Sequence, residues 1–260
     1  MSIKGKVAIV TGAGSGIGEG TAHLFAAEGA TVVAVDVSDK YLNDVVADIN
    51  KQGGKAVAML CNVAGTEDVE RVFKDTYDQF GSVDIVANIA GIGDYHTRTV
   101  RVSDELWQRM LDVNLTGTFK MCREALKYME KQGSGSIINT SSGAGVRANS
   151  GCCYTATKFA VEGLTRNIAI NYGGTDIRCN CIQPGITTTR FSTYEAWRAN
   201  FGDETDVRDK EFGDICGKHM CADCGRTMPI DQARAVLFFA DPDNHYVTGQ
   251  IMCIDRGVFL

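Results

Sequence analysis

Tyr154 and Lys158 stand four residues apart in a stretch that reads as the start of a helix. That spacing puts both side chains on one helical face. A tyrosine ionises near ~10, too high to serve as a base at neutral pH. A neighbouring ammonium and a positively charged cofactor ring would both favour the phenolate, so that a proton can shuttle near physiological pH. On its own a Tyr-x-x-x-Lys pair is common by chance and usually just a solvated helix face, so its chemistry depends on what lies nearby.

A second constellation, Thr11-Gly12-Ala13-Gly14-Ser15-Gly16-Ile17-Gly18, follows an apolar run and precedes a helical period. Glycines permit a tight turn and let backbone N–H groups approach a pyrophosphate, and the helix N-terminus adds partial positive charge. Between a first strand and a first helix, this pattern predicts a dinucleotide site. Asp36 closes the second apolar run, 18 residues after Gly18. A carboxylate there accepts from both adenosine ribose hydroxyls and repels a 2′-phosphate, so the expected cofactor is NAD rather than NADP. No basic residue lies beside the glycines in sequence, and Lys40 is the nearest after Asp36.

Short apolar runs alternate with helical periods along the chain. Strands are expected at Lys6–Val10, Thr31–Val35, Lys55–Leu60, Val83–Asn88, Ser136–Thr140, Ile177–Ile182 and Ile251–Ile254. Helices are expected over 16–28, after a Ser38 cap, after a Thr66 cap, and over 104–131, 153–172 and 231–240. Apolar strands alternating with helices imply a parallel sheet covered on both faces. The expected fold is α/β: a single-domain, Rossmann-like, doubly wound sheet of about seven strands. One domain is expected over 1–260, with the polar, weakly periodic stretch 187–229 as a substrate-binding lid insert.

The 260 residues are 44% hydrophobic and carry a net charge of −6. The acidic balance argues against a nucleic-acid surface. No run approaches the roughly 20 apolar residues of a membrane helix, and no apolar leader precedes Val7, so a cytoplasmic protein is expected. The ten cysteines are then expected as free thiols, with Cys61, Cys179, Cys181 and Cys253 packed as small core hydrophobes.

Taken in order, Thr11 to Gly18, Asn88-Ile-Ala-Gly91, Asn114 in Asp-Val-Asn-Leu, Ser141-Ser142, Tyr154-Thr-Ala-Thr-Lys158, Pro184-Gly185 and Thr248-Gly249 resemble the short-chain dehydrogenase/reductase family along essentially the whole chain. The resemblance implies that Tyr154 gives or takes a hydroxyl proton, while Lys158 lowers its pKa and holds the nicotinamide ribose. Ser142 would polarise the substrate carbonyl, and Asn114 would anchor a proton-relaying water. It places the cofactor against Gly12, Ser15, Gly16, Ile17, Gly18, Asp36, Asn88, Ala90 and Gly91. Asn62 and Val63 would meet adenine, and Pro184, Gly185, Thr187 and Thr189 would grip the carboxamide and pyrophosphate. Hydride chemistry belongs to the nicotinamide. The chain departs from the family at Ile89, where a second Asn is usual, and at Asn62, usually Asp. Its serine count also differs: Ser141, not Ser142, lies the usual 13 residues before the tyrosine, and Ser141 is the alternative. A homo-oligomer, dimer or tetramer, paired through helices 104–131 and 153–172 is implied as well.

The substrate pocket is expected to be walled by Gly93–His96, Gly143–Arg147, Cys152, Cys153, Ile186 and the insert, whose Phe191, Tyr194, Trp197 and Phe201 suit a bulky apolar ring alcohol such as a hydroxysteroid or bile acid. Equally, these rings could simply pack the lid onto the body. Small diols, sugar alcohols, terpenoid alcohols and 3-oxoacyl substrates stay open. Cys216, His219, Cys221 and Cys224 could bind zinc or form a redox pair, although the resemblance needs no metal. Two rivals remain: epimerisation or dehydration, with Asp94 and His96 as the local acid/base candidates, and a non-catalytic NAD-binding sensor.

Overall fold

The computed structural model describes residues 3–143, 147–191, 193, 209–218, 220–221 and 224–258. Seven strands form one parallel sheet: β1 Val7–Thr11, β2 Thr31–Asp36, β3 Lys55–Leu60, β4 Ile85–Asn88, β5 Ser134–Thr140, β6 Asp176–Pro184 and β7 Ile251–Ile254. Their spatial order is β3-β2-β1-β4-β5-β6-β7. The doubly wound α/β architecture expected from the apolar strands is therefore present.

Side chains of β1 show why these runs must be strands. Successive residues point to opposite faces. Val7 and Ile9 join one core with Phe73, Met121 and Ile137. Ala8 and Val10 join a second core with Phe25, Ile49, Ile138 and Phe239. The first core is covered by α3 (Thr66–Phe80), α4 (Asp104–Met110), α5 (Thr118–Gln132) and α6 (Cys152–Asn171). The second lies under α1 (Gly16–Ala27), α2 (Asp39–Lys51) and α8 (Pro229–Ala240). Burying each of Phe25, Phe73 and Phe239 completely contributes about 2–3 kcal/mol.

The order matters for the site. After β3 the chain crosses back over β1 to lay β4 on its other side, so β1 and β4 are neighbours whose C-terminal loops leave toward opposite faces. A crevice opens there, at the point where such sheets bind ligands.

Several local expectations change. β1 begins at Val7 because the Lys6 N–H is spent on the Ile3 carbonyl in a turn (3.1 Å). Gly65, not Thr66, caps α3. The helix expected over 104–131 is α4 and α5 joined by a π-helical segment, Leu111–Gly117. The insert holds a short helix, α7 (Lys210–Gly217), and its base is zipped: Thr188 N donates to Thr227 O, and Thr227 N to Ile186 O (both 2.9 Å).

The cysteine expectations hold in part. Cys61, Cys179 and Cys181 are buried, but Cys253 is exposed because β7 is an edge strand. Cys221 and Cys224 are joined as a disulfide, which corrects the free-thiol reading for that pair. Cys216 is a free, buried thiol, and no group of three metal-ligating side chains gathers among the described residues. Tyr194, Trp197, Phe201, His219 and residues 144–146 lie outside the described residues. Among the described residues no helix is long and apolar enough to cross a membrane.

Candidate active site

The glycine loop runs from the end of β1 into α1. Gly12 has φ +68°, and a Cβ there would sit 3.0 Å from the Ala90 backbone, so the two loops of the crevice touch only because that side chain is missing. A Cβ at Gly18 would collide with the Gly12 carbonyl. Thr11 ties the loops from below: its hydroxyl accepts from the N–H groups of Ile89 (3.0 Å) and Ala90 (3.1 Å).

Asp36, the last residue of β2, faces the same loop. Its Oδ2 accepts from Gly14 N and its Oδ1 from Ser38 N, both at 3.0 Å. The carboxylate thus stands beside the cradle, where a ribose diol can replace backbone donors. Thr189 packs at the other end, 3.0 Å from where a Gly16 Cβ would lie. One basic side chain is nearer than sequence suggests: the Arg190 guanidinium stacks 4.5 Å above the Tyr41 ring and donates to its hydroxyl at 2.9 Å. Tyr41 itself abuts Gly14. A glycine-walled crevice with a carboxylate at one end and hydroxyls at the other fits a dinucleotide, and at the ends of the strands beside it the Asn88 Oδ1 and Thr140 Oγ1 atoms are buried without a partner among the described residues.

Other expected cofactor residues have structural partners. Asn88 Nδ2 donates to Asn139 Oδ1 (2.9 Å) and so ties β4 to β5. Asn62 is exposed, with its Oδ1 accepting from Ala64 N at 3.1 Å. Val63 is buried beneath Gly117 of the π segment. Pro184 ends β6, Gly185 N donates to Ile254 O (3.0 Å), and the Thr187 and Thr227 hydroxyls meet at 2.9 Å.

Around the crevice floor Asn114, Ser142, Tyr154 and Lys158 converge. Asn114 sits in the π segment, a turn type often found at functional sites. Its amide clamps one residue from both sides: Oδ1 accepts from Ile92 N and Nδ2 donates to Ile92 O, both at 2.9 Å. Lys158 is buried, and its Nζ donates to Thr140 O at 2.8 Å. A Cβ at Gly91 would meet Asn114 Oδ1 at 3.2 Å and Lys158 Nζ at 3.5 Å, so that glycine opens the space between them. Lys158 Nζ lies 5.5 Å from the centroid of the Tyr154 ring.

The serine ambiguity resolves by hydrogen bonding. The Ser142 side chain is bonded to the Tyr154 phenol. Ser141 is buried and turned away, bonded to Glu162 Oε1 (2.8 Å) and Lys158 O (3.0 Å). Ser142→Ala should therefore lower kcat by about 10²-fold. Ser141→Ala should leave kcat much closer to wild type, and a reversed ranking in steady-state assays would reject the assignment.

Burial sets the electrostatics of the pair. Burial pushes the Tyr154 phenol up to about 12, with the Ser142 bond pulling it back and the Asp94 charge adding to the rise. Burial likewise pushes Lys158 down to about 8. In the protein alone, burial thus acts on both groups against their charged forms.

Above the phenol lies the Phe191 ring, 5.8 Å away and also against Gly93. Tyr95 Oη donates to the Phe191 carbonyl at 2.7 Å. Two successive non-glycine residues here, Tyr95 (φ 51°) and His96 (φ 62°), are left-handed, each at a cost of about 1–3 kcal/mol. The sequence carried no sign of that strain, or of the Arg190–Tyr41 contact.

Comparison with known proteins agrees with this geometry. The family model described as enoyl-(acyl carrier protein) reductase matches residues 12–259. The chain is 35% identical to the 3-oxoacyl-(acyl-carrier-protein) reductase FabG of Thermotoga maritima, with 100% of each chain covered. It is also 35% identical to a 3beta-hydroxysteroid dehydrogenase of Mediterraneibacter gnavus, covering 97% of this chain and 94% of that one. Among solved structures, a 3-ketoacyl-(acyl-carrier-protein) reductase from Brucella melitensis complexed with NADH superposes with a TM-score of 0.84 at 29% identity, covering 100% of both chains. A variant of actinorhodin polyketide ketoreductase with NADPH gives 0.85 at 28% identity, covering 100% of this chain and 99% of that one. The chain belongs to the short-chain dehydrogenase/reductase family. It is an oxidoreductase acting on CH–OH groups, with a nicotinamide cofactor.

Proposed function

We propose that the protein is an NAD-dependent dehydrogenase that interconverts a secondary alcohol and a ketone, with Tyr154 as the proton-transferring residue. The observation that carries this is the convergence of Ser142, Tyr154 and Lys158 beside the glycine crevice. The bound nicotinamide supplies hydride transfer. In the reductive direction the phenol of Tyr154 donates to the carbonyl oxygen, which Ser142 holds by a hydrogen bond. Lys158 stands behind the phenol as the ammonium that steadies the charge left there. In the oxidative direction the positive cofactor ring favours the phenolate, offsetting the burial that pushes the phenol up. Asn114 acts at second hand, by fixing Ile92 and the wall against Lys158.

NAD is the favoured cofactor because a carboxylate beside the glycine loop accepts from ribose hydroxyls and repels a 2′-phosphate, which supports this reading for Asp36. Asp36→Ala should weaken NADH binding about tenfold or more while improving NADPH relative to NADH. Fluorescence titration of both cofactors measures this, and a wild-type preference for NADPH would overturn the choice.

The favoured substrate is a bulky, largely apolar ring alcohol of the hydroxysteroid or bile-acid kind. The Phe191 ring beside Tyr154 offers a flat apolar wall, and one full-length relative is a hydroxysteroid dehydrogenase. Asp94 is the weaker acid/base candidate, since it is fully buried and its Oδ2 is committed to the Tyr154 N–H. We read the enzyme as a cytoplasmic homo-oligomer joined through α4–α5 and α6, where Phe119 and Phe159 are exposed. The deciding experiment is a screen of steroid and bile-acid alcohols, small diols, sugar alcohols, terpenoid alcohols and 3-oxoacyl thioesters with NAD(H). Turnover fastest on ring alcohols is expected. Preference for 3-oxoacyl thioesters would replace the substrate class, and no turnover at all with intact NAD binding would favour a sensor.

A further inference from the structure

Helix α6 begins without a cap of its own. The first N–H groups of a helix need acceptors, yet the residue at the cap position is Gly151, which has no side chain to offer. The acceptor comes instead from 60 residues earlier in the chain. Asp94 Oδ2 accepts from the Tyr154 N–H at 2.9 Å. The N–H groups of Gly151 and His96 face the same carboxylate.

The site has no room for alternatives. Asp94 is fully buried, and a Cβ at Gly151 would fall on its carboxyl group. Placing a carboxylate at a helix N-terminus also suits the helix dipole. Immediately after Asp94 the chain takes its two left-handed residues. These aim the Tyr95 hydroxyl at the Phe191 carbonyl (2.7 Å) and set the His96 ring edge-on to Phe212 of α7 (6.4 Å). One carboxylate thus holds both the first turn of the catalytic helix and the loop on which the insert rests.

We propose that Asp94 is a positioning residue: it caps α6 from across the fold and sets the Tyr154 phenol in register with the surface that carries Phe191 and α7. This rests on the reading of Tyr154 as the proton-transferring residue. The role assigned to Asp94 needs no contact with substrate, because its side chain is fully buried. Its Oδ2 is committed to the Tyr154 N–H, while Oδ1 is buried without a hydrogen-bond partner among the described residues, and its effect on turnover passes through the backbone of Tyr154 and through Tyr95 and His96.

The test uses the full-length protein as Asp94→Ala and Asp94→Asn, because Asn keeps a carbonyl that can accept the Tyr154 N–H and Ala does not. Amide exchange read by mass spectrometry should quicken about tenfold or more across 151–156 in Asp94→Ala, stay near wild type in Asp94→Asn, and leave the β1 and β4 amides unchanged. With the best alcohol found in the screen, kcat should fall about 10²-fold in Asp94→Ala and recover in large part in Asp94→Asn, with NADH affinity unchanged. If Asp94→Ala does not fold, Gly151→Ala displaces the carboxylate without removing it and should give the same exchange pattern and loss of kcat. Unaltered exchange over 151–156, or equal acceleration everywhere, overturns the proposal. So does an Asp94→Asn enzyme as slow as Asp94→Ala. A wild type that turns over no alcohol or ketone would sink the proposed function alone, since the exchange measurement still judges the cap.

Discussion

Replacing Tyr154 by Phe should remove turnover, by about 10³–10⁴-fold, while NADH binds as tightly as to the wild type. The substitution takes away one oxygen and nothing else. The ring keeps its packing against Phe191, and Lys158 keeps its bond to the Thr140 carbonyl. The glycine loop, Asp36 and Thr189 lie on other elements, so the cofactor loses no contact that they provide. What disappears is the hydroxyl bonded to Ser142 that passes a proton to the substrate oxygen in the proposed arrangement. The expected signature is therefore a collapse of kcat with cofactor Kd unmoved. A Tyr154→Phe enzyme retaining a tenth of wild-type activity would show that protons travel another way.

Lys158→Met should inactivate the enzyme and at the same time make it more stable at neutral pH. Lys158 is buried, and its ammonium is pushed down to about 8 from the ordinary 10.5. A lysine whose folded pKa lies below its unfolded value costs stability wherever it is charged in both states. The cost is complete below about 8 and fades as pH climbs from about 8 to 10.5. At full size it is about 3 kcal/mol. Removing the amine also orphans the Thr140 carbonyl, which returns about 1–2 kcal/mol of that. The net expectation is a higher Tm at pH 7 by the equivalent of about 1–2 kcal/mol, an advantage that vanishes above pH 10.5. Calorimetry at the two pH values checks it. Such a gain is characteristic of a group kept for chemistry at the expense of stability. A less stable variant at both pH values would mean that Lys158 is chiefly structural. In the wild type, ketone reduction should decline as pH rises through about 8, because the ammonium behind the phenol is then lost.

Much of this could be read from residue order, because the features concerned are local. The apolar runs define strands buried on both faces, and their alternation with helices dictates parallel pairing. The glycines and Asp36 stand where their order predicts, after β1 and at the end of β2. Tyr154 and Lys158 share a helix, so their spacing alone brings them to one side.

What could not be read depends on groups distant in sequence. The π segment at Leu111–Gly117 goes with the grip of Asn114 on Ile92, 22 residues earlier. Arg190 meets Tyr41 across 149 residues, so counting basic residues near the glycines missed it. The cap of α6 comes from Asp94, 60 residues before Tyr154, so no local residue announces it. Cys253 looked like core because its strand is apolar, but strand order alone makes β7 an edge. The choice between Ser141 and Ser142 turned on which hydroxyl meets the phenol, something a residue count cannot decide. The depth of burial around the phenol, which opposes its ionisation, was likewise not visible in sequence.

The most direct test is an ultraviolet difference titration of Tyr154, wild type against Tyr154→Phe, with and without saturating NAD+. Alone, the phenol should ionise near about 12. With the cofactor in place its transition should fall by several pH units toward neutrality and be missing from the variant. A transition that stays near its cofactor-free value when NAD+ is bound would contradict the account, because no base would then stand ready where the hydride leaves.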